Sequence, residues 1–145
     1  MKVYRFPYQK ILDVRKALEK NKKVELKNRL VELEHEKEKL RYLKSEKEGT
    51  FDITEDNSIP DLRIRADYIH QLNDMIDKQL ERIADFNRRV DETRKELIEV
   101  NKEKKIMERL EESHRLEYTK NQRKEELKLN SEIALRKFRN LETGE

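Results

Sequence analysis

Residues 69–107 read IHQLNDMIDKQLERIADFNRRVDETRKELIEVNKEKKIM, and their apolar members recur at steps of three and four. Ile69, Leu72, Ile76, Ile83, Phe86, Val90, Leu97, Val100 and Met107 occupy the a and d positions of a heptad pattern, with Gln79, Thr93 and Lys104 as polar interruptions. No proline follows Pro60, and no glycine lies between Gly49 and Gly144. The spacing therefore predicts one long helix over about 59–141, because nothing in the run breaks the backbone ladder. Upstream, a second run free of breakers predicts a helix over about 8–47. Pro7 suits its first turn, where the missing N–H has no partner to lose. Ile11, Val14 and Leu18, then Leu26, Leu30, Leu33 and Leu40, trace its apolar line. The step from Leu18 to Leu26 is one longer than a heptad, a register shift of the kind that alters local supercoiling.

Composition agrees with two helices and little else. Hydrophobic residues make up 34% of the 145 and charged residues 46%, too little apolar matter for a thick globular core. Disorder is disfavoured, because the charges nearly cancel at +3 and Gly and Pro number only two each. A narrow seam between paired helices fits instead. The absence of cysteine excludes disulfides, thiolate metal sites and Cys nucleophiles. No apolar stretch has the length of a signal sequence or a membrane span, which points to a cytosolic protein without direct membrane insertion. The charge is uneven: residues 1–45 hold 14 basic and 7 acidic groups, residues 46–61 hold 1 and 6. The first helix is basic and the connection acidic.

That connection, about 48–58, separates the helices. Gly49 is placed as the residue that ends the first, and Ser58-Ile59-Pro60-Asp61 as the cap of the second. The fold class expected is all-α, a single coiled-coil domain over 1–145: an antiparallel two-helix hairpin with the second helix longer and overhanging. Folding back near residue 53 sets Leu40 beside Tyr68 and Leu12 beside Leu97. Beyond Met107 the seam slots become Glu111, His114, Tyr118 and Asn121, so the pairing is expected to fail there. About forty residues, about 60 Å as helix, would then extend past the first helix and await a partner.

Catalytic readings fail early. Two glycines cannot form a phosphate-binding loop, and Glu111 with His114 gives only one Glu-x-x-His step where a di-iron bundle needs two and further glutamates. His114 reads as a seam or solvated histidine. The basic first helix raises nucleic acid as a partner, but Glu32, Glu34, Glu36 and Glu38 interleave its lysines, and few aromatics are present for stacking. No catalytic residue, metal, cofactor or nucleic acid is expected. Two clusters stand out: Tyr4, Phe6 and Tyr8 before the first helix, and Tyr68, Leu72, Met75 and Gln79 on successive turns of the second. Leu72 belongs to the seam; Tyr68 and Met75 border it, as coverage of the seam or as a docking patch.

The order of these features resembles the FliJ family, coiled-coil components of bacterial flagellar type III protein export. The resemblance is carried by Phe6-Pro7-Tyr8-Gln9-Lys10-Ile11-Leu12-Asp13-Val14-Arg15, by Leu40 and Leu43, by Tyr68-Ile69 with Leu72 and Ile76, and by Glu126, Ser131-Glu132-Ile133-Ala134 and Phe138. Asn130-Ser131-Glu132 departs from the family's Leu-Asp-Glu. The resemblance implies a non-enzymatic, monomeric helical rod, similar to the central stalk of rotary ATPases. Its partners would be the hexameric flagellar export ATPase, the cytoplasmic domain of the export gate membrane protein, and export chaperones. Its place would be the cytoplasm, peripherally at the inner membrane. Gate docking would fall on Tyr68, Leu72, Met75, Gln79 and Leu43. Insertion into the ATPase ring would fall on Met107, Leu110, Tyr118, Phe138, Phe6 and Tyr8. The alternative is a generic coiled-coil adaptor or dimerisation module.

Overall fold

A computed structural model describes residues 3–51 and 59–143. Two helices make up nearly all of it: α1, Gln9–Phe51, and α2, Ile59–Thr143, with no strand among the described residues. The fold is an all-α, antiparallel helical hairpin whose second helix, at 85 residues against 43, is the longer. Contacts divide the chain into two compact units, Glu19–Val100 and Met1–Leu18 with Asn101–Glu145.

In the unit Glu19–Val100, the α2 seam is the one its sequence predicts. Leu72, Ile83, Val90 and Thr93 are buried, and Ile69, Ile76, Gln79, Phe86, Leu97 and Val100 are half-buried. Leu33 of α1 packs with Ile83 and Val90, and Leu26, Leu40 and Phe86 close around them. Each such aliphatic side chain, removed from water, contributes about 1.5–3 kcal/mol. Antiparallel direction is fixed by cross-helix pairs: Lys22 with Glu96 at 2.5 Å, and Gln79 with Glu36. The α1 side of this seam is half polar. Glu19, Lys22, Arg29, Glu36 and Lys47 alternate with Leu26, Leu33, Leu40 and Leu43 at buried or half-buried positions.

The expected line through Ile11, Val14 and Leu18 is corrected, since all three are exposed while Leu12 is buried. Leu12 stands at whole heptads from Leu26, Leu33 and Leu40, so it stays in phase with the α2 stripe and no register shift is needed. Glu19, itself buried, pairs with Lys23 at 3.0 Å. Apolar count favoured the wrong line; phase decides.

Gly49 also departs from expectation. It lies inside α1, which runs on to Phe51 rather than ending near residue 47. Thr50 donates its hydroxyl to the Glu46 carbonyl at 2.8 Å and is buried, so the last turn is held by Thr50 and not released at the glycine. A Cβ at Gly49 would meet nothing within 4 Å. Most of the expected acidic turn and the Ser58 of the expected cap lie outside the described residues; Asp61 is the acidic residue in the first turn of α2. The longer α1 displaces the pairing by about one heptad. Gln79, not a residue near Tyr68, meets the turn of α1 before Leu40, and the Tyr68 hydroxyl lies 3.5 Å from the Glu46 carboxylate. Likewise Leu12 shares its unit with Glu103 rather than Leu97.

In the other unit the pairing does not stop at Met107. Arg15 and Glu103 meet at 2.5 Å, and beyond them residues 4–8 lie along α2. Tyr4 donates its hydroxyl to the Glu111 carbonyl at 3.2 Å and stacks tilted on Tyr118, centroids 5.3 Å apart. Phe6, only 6% exposed, meets the His114 ring at 5.5 Å, and Tyr8 flanks both. A turn in which the Gln9 N–H donates to the Phe6 carbonyl at 3.2 Å contains Pro7, and α1 begins after it. The heptad slots at Glu111, His114 and Tyr118 are thus half-buried by aromatic rings from a non-helical segment, not by a helix. Unpaired α2 begins later than expected: every residue from 123 to 143 is exposed.

Candidate docking surface

The seam buries one edge of each helix and leaves flanking positions open, so side chains one place before a seam residue stand at a groove rim. On α2 this applies to Tyr68 and Met75, neighbours of Ile69 and Ile76; on α1, Tyr42 precedes half-buried Leu43. The helices bring these together in the unit Glu19–Val100. His35, Glu38, Lys39, Tyr42, Leu43, Met75 and Gln79 line an open groove of about 450 Å³. A second, of about 610 Å³, is lined by Ser45, Glu46, Gly49, Thr50, Ile64, Arg65 and Tyr68.

Five residues expected from the resemblance fall into three physical classes. Tyr68 and Met75, 41% and 48% exposed, present apolar surface to solvent. Leu72, 3% exposed, is committed to the seam, so its contribution to docking is to hold its neighbours in place. Leu43 and Gln79 are half-buried, and the Gln79 amide donates to the Glu36 carbonyl at 2.9 Å and to its carboxylate at 2.6 Å. Tyr42 is a member that sequence reading missed. It is well exposed, and the Glu46 carboxylate beside it pushes its phenol up. Three residues after Lys39 and seven after His35, it shares their side of α1, which meets Met75 across the groove.

Glu36 underlies this groove. Its carboxylate is buried at a seam position, and hydrogen bonding from Gln79 holds it below the ordinary glutamate value of 4.5; Lys39 and Arg82 act in the same sense, and desolvation opposes them. A depressed folded value means stability present in full above 4.5 and lost as pH falls through the folded value. The melting temperature of the wild type should therefore fall more steeply than that of Glu36→Gln as pH is lowered through the carboxylate range. Parallel curves would show that Glu36 carries no such linkage.

Residues expected at the ATPase ring lie in the other unit and are not equivalent. Phe6 is consumed by the contact with His114, and Tyr118 by that with Tyr4. Met107 is half-buried in the seam. Tyr8, Leu110 and Phe138 keep substantial exposed surface. His114 is a seam histidine packed between Phe6 and Tyr8. Among the described residues no cluster of three His, Cys, Asp or Glu groups could hold a metal ion. No described helix is long and apolar enough to cross a membrane.

The family model described as the flagellar FliJ protein matches residues 4–143, both helices and the aromatic segment before them. The chain belongs to the FliJ family. Membership makes this chain a component of the flagellar protein export apparatus. No curated protein and no solved structure matches the chain.

Proposed function

We propose that this FliJ-family chain docks on the cytoplasmic domain of the export gate membrane protein through the groove of Tyr42, Leu43 and Met75 and the second groove of Tyr68. The other unit, with Tyr8, Leu110 and Phe138 exposed, enters the centre of the hexameric export ATPase. Acting as a monomer at the cytoplasmic face of the inner membrane, it passes on chaperones loaded with export substrate during flagellum assembly, and so supports motility.

One observation carries the gate reading. Exposed Met75 and Tyr42 line one groove and exposed Tyr68 a second, on a chain in which 46% of residues are charged. An apolar rim among salt bridges is the pattern of a contact centred on a few anchors. Titration calorimetry with the purified gate domain tests it. Met75→Asp keeps the seam intact and should weaken binding by about thirtyfold or more, the scale of a hot-spot loss. Gate binding equal to wild type in Met75→Asp and in Tyr68→Ala would sink the reading.

A further inference from the structure

The side of α1 turned away from the seam carries a second stripe that the hairpin does not use. Places two and five residues after the seam positions Leu12, Glu19 and Leu26 lie opposite them on the helix. They hold Val14, Ala17, Asn21, Val24, Asn28 and Val31, all exposed, at alternating steps of three and four. His35 continues the run, and Lys10 and Glu38 bound it. None of these seven residues is acidic or basic like Lys and Glu, in a chain of which 46% is charged. Within the unit Glu19–Val100, Asn21 and Asn28 take the a places of this stripe and Val24 and Val31 the d places. The two valines are 53% and 62% exposed.

The rim charges and the asparagines select the occupant. We infer that this stripe pairs with the same stripe of a second copy, parallel and in register. In that arrangement each g residue meets the e residue five places on in the other chain. Lys20 then meets Glu25, Lys27 meets Glu32 and Glu34 meets Lys39, opposite in sign at every rim position from 20 to 39. Asn21 and Asn28 each face their own counterpart, amide to amide. An antiparallel pair centred on the same stretch sets Asn28 against Val24, Lys27 against Lys27 and Glu25 against Glu25. Glu25 and Glu32 already meet Lys22 and Arg29 of their own helix at 3.0 and 3.4 Å, so the rim fixes direction and register while the valines supply the attraction. Such a thin core makes a weak, reversible pair of the free chain at high concentration, and the monomer of the gate reading is its dissociated form. The pairing goes beyond gate docking and leaves Tyr42, Leu43, Tyr68 and Met75 out of its core.

Sedimentation equilibrium of the full chain from about 10 µM to about 1 mM should show a reversible monomer–dimer equilibrium. Val24→Lys/Val31→Lys changes two exposed positions and should weaken association by about tenfold or more with helicity unchanged. Lys27→Glu should weaken it as well, and Lys27→Glu/Glu32→Lys should restore it, which only a contact between these two positions explains. Direction is read from cysteines placed in a chain that has none: Val24→Cys should oxidise to a linked dimer with itself, because parallel alignment sets position 24 beside its counterpart. A chain that stays monomeric throughout, or dimers that survive Val24→Lys/Val31→Lys, would overturn the inference. So would linkage of Val24→Cys chains to Asn28→Cys chains but not to each other, the mark of an antiparallel pair. Gate binding by Val24→Lys/Val31→Lys stays at the wild-type level, so loss here and loss of the gate reading are told apart.

Discussion

Leu33→Ala should lower the free energy of unfolding by about 2–4 kcal/mol, the largest loss expected from a single aliphatic truncation in α1. Leu33 is 7% exposed and packs on Ile83 and Val90 in the one described cluster of buried aliphatics. Truncation there removes both transfer energy and packing, and the flanking seam positions, Arg29 and Glu36, are polar and cannot slide in to fill the space. Val31→Ala makes the control, because Val31 is 62% exposed on the same helix and should change stability by less than about 0.5 kcal/mol. Urea titration followed by far-UV circular dichroism measures both. Equal effects would mean that the seam is not where Leu33, Ile83 and Val90 place it.

Phe6→Ala is the second large effect, and it is local. Phe6 is the buried member of the aromatic group on His114, so its loss should release residues 4–8 from α2 at a cost of up to about 3 kcal/mol. Amide exchange in residues 111–118 should then accelerate by about a hundredfold, while exchange around Val90 stays as in the wild type. The selectivity distinguishes a clamp from general weakening. Unchanged exchange at 111–118 would contradict the aromatic clamp.

The two helices differ in how openly their sequences declare them. α2 is legible because its seam positions from Ile69 to Val100 are mostly apolar and every one that reads as a or d is at least half-buried. α1 hides its seam, since Arg15, Glu19, Lys22 and Glu36 stand where apolar residues are sought and are satisfied by Glu103, Lys23, Glu96 and Gln79. Only phase, not hydrophobicity, separates Leu12 from Ile11. The aromatic clamp carried no heptad signal: Tyr4, Phe6 and Tyr8 precede α1, so a search for heptads passes over them. Gly49 shows the weakness of a lone glycine as a stop, for it costs only about 1 kcal/mol in a helix and buried Thr50 follows it. That extra turn moved the register by about one heptad, which preserves every seam face and so leaves no trace in the pattern. Of the candidate docking surface, Tyr68 and Met75 were legible as seam neighbours; Tyr42 was not, because what it faces on α2 depends on the register.

Register within one chain is therefore what the groove, the clamp and the gate contact all rest on, and the cysteine-free sequence permits a direct measurement of it. A short bis-maleimide applied to Leu43→Cys/Met75→Cys should give an intrachain product of monomer mass, because these side chains line one groove. The pair Leu40→Cys/Tyr68→Cys, adjacent only if the helices slip by about one heptad, should stay unlinked. Linkage of the second pair without the first, or linkage of either only between chains, would contradict the antiparallel hairpin in this register.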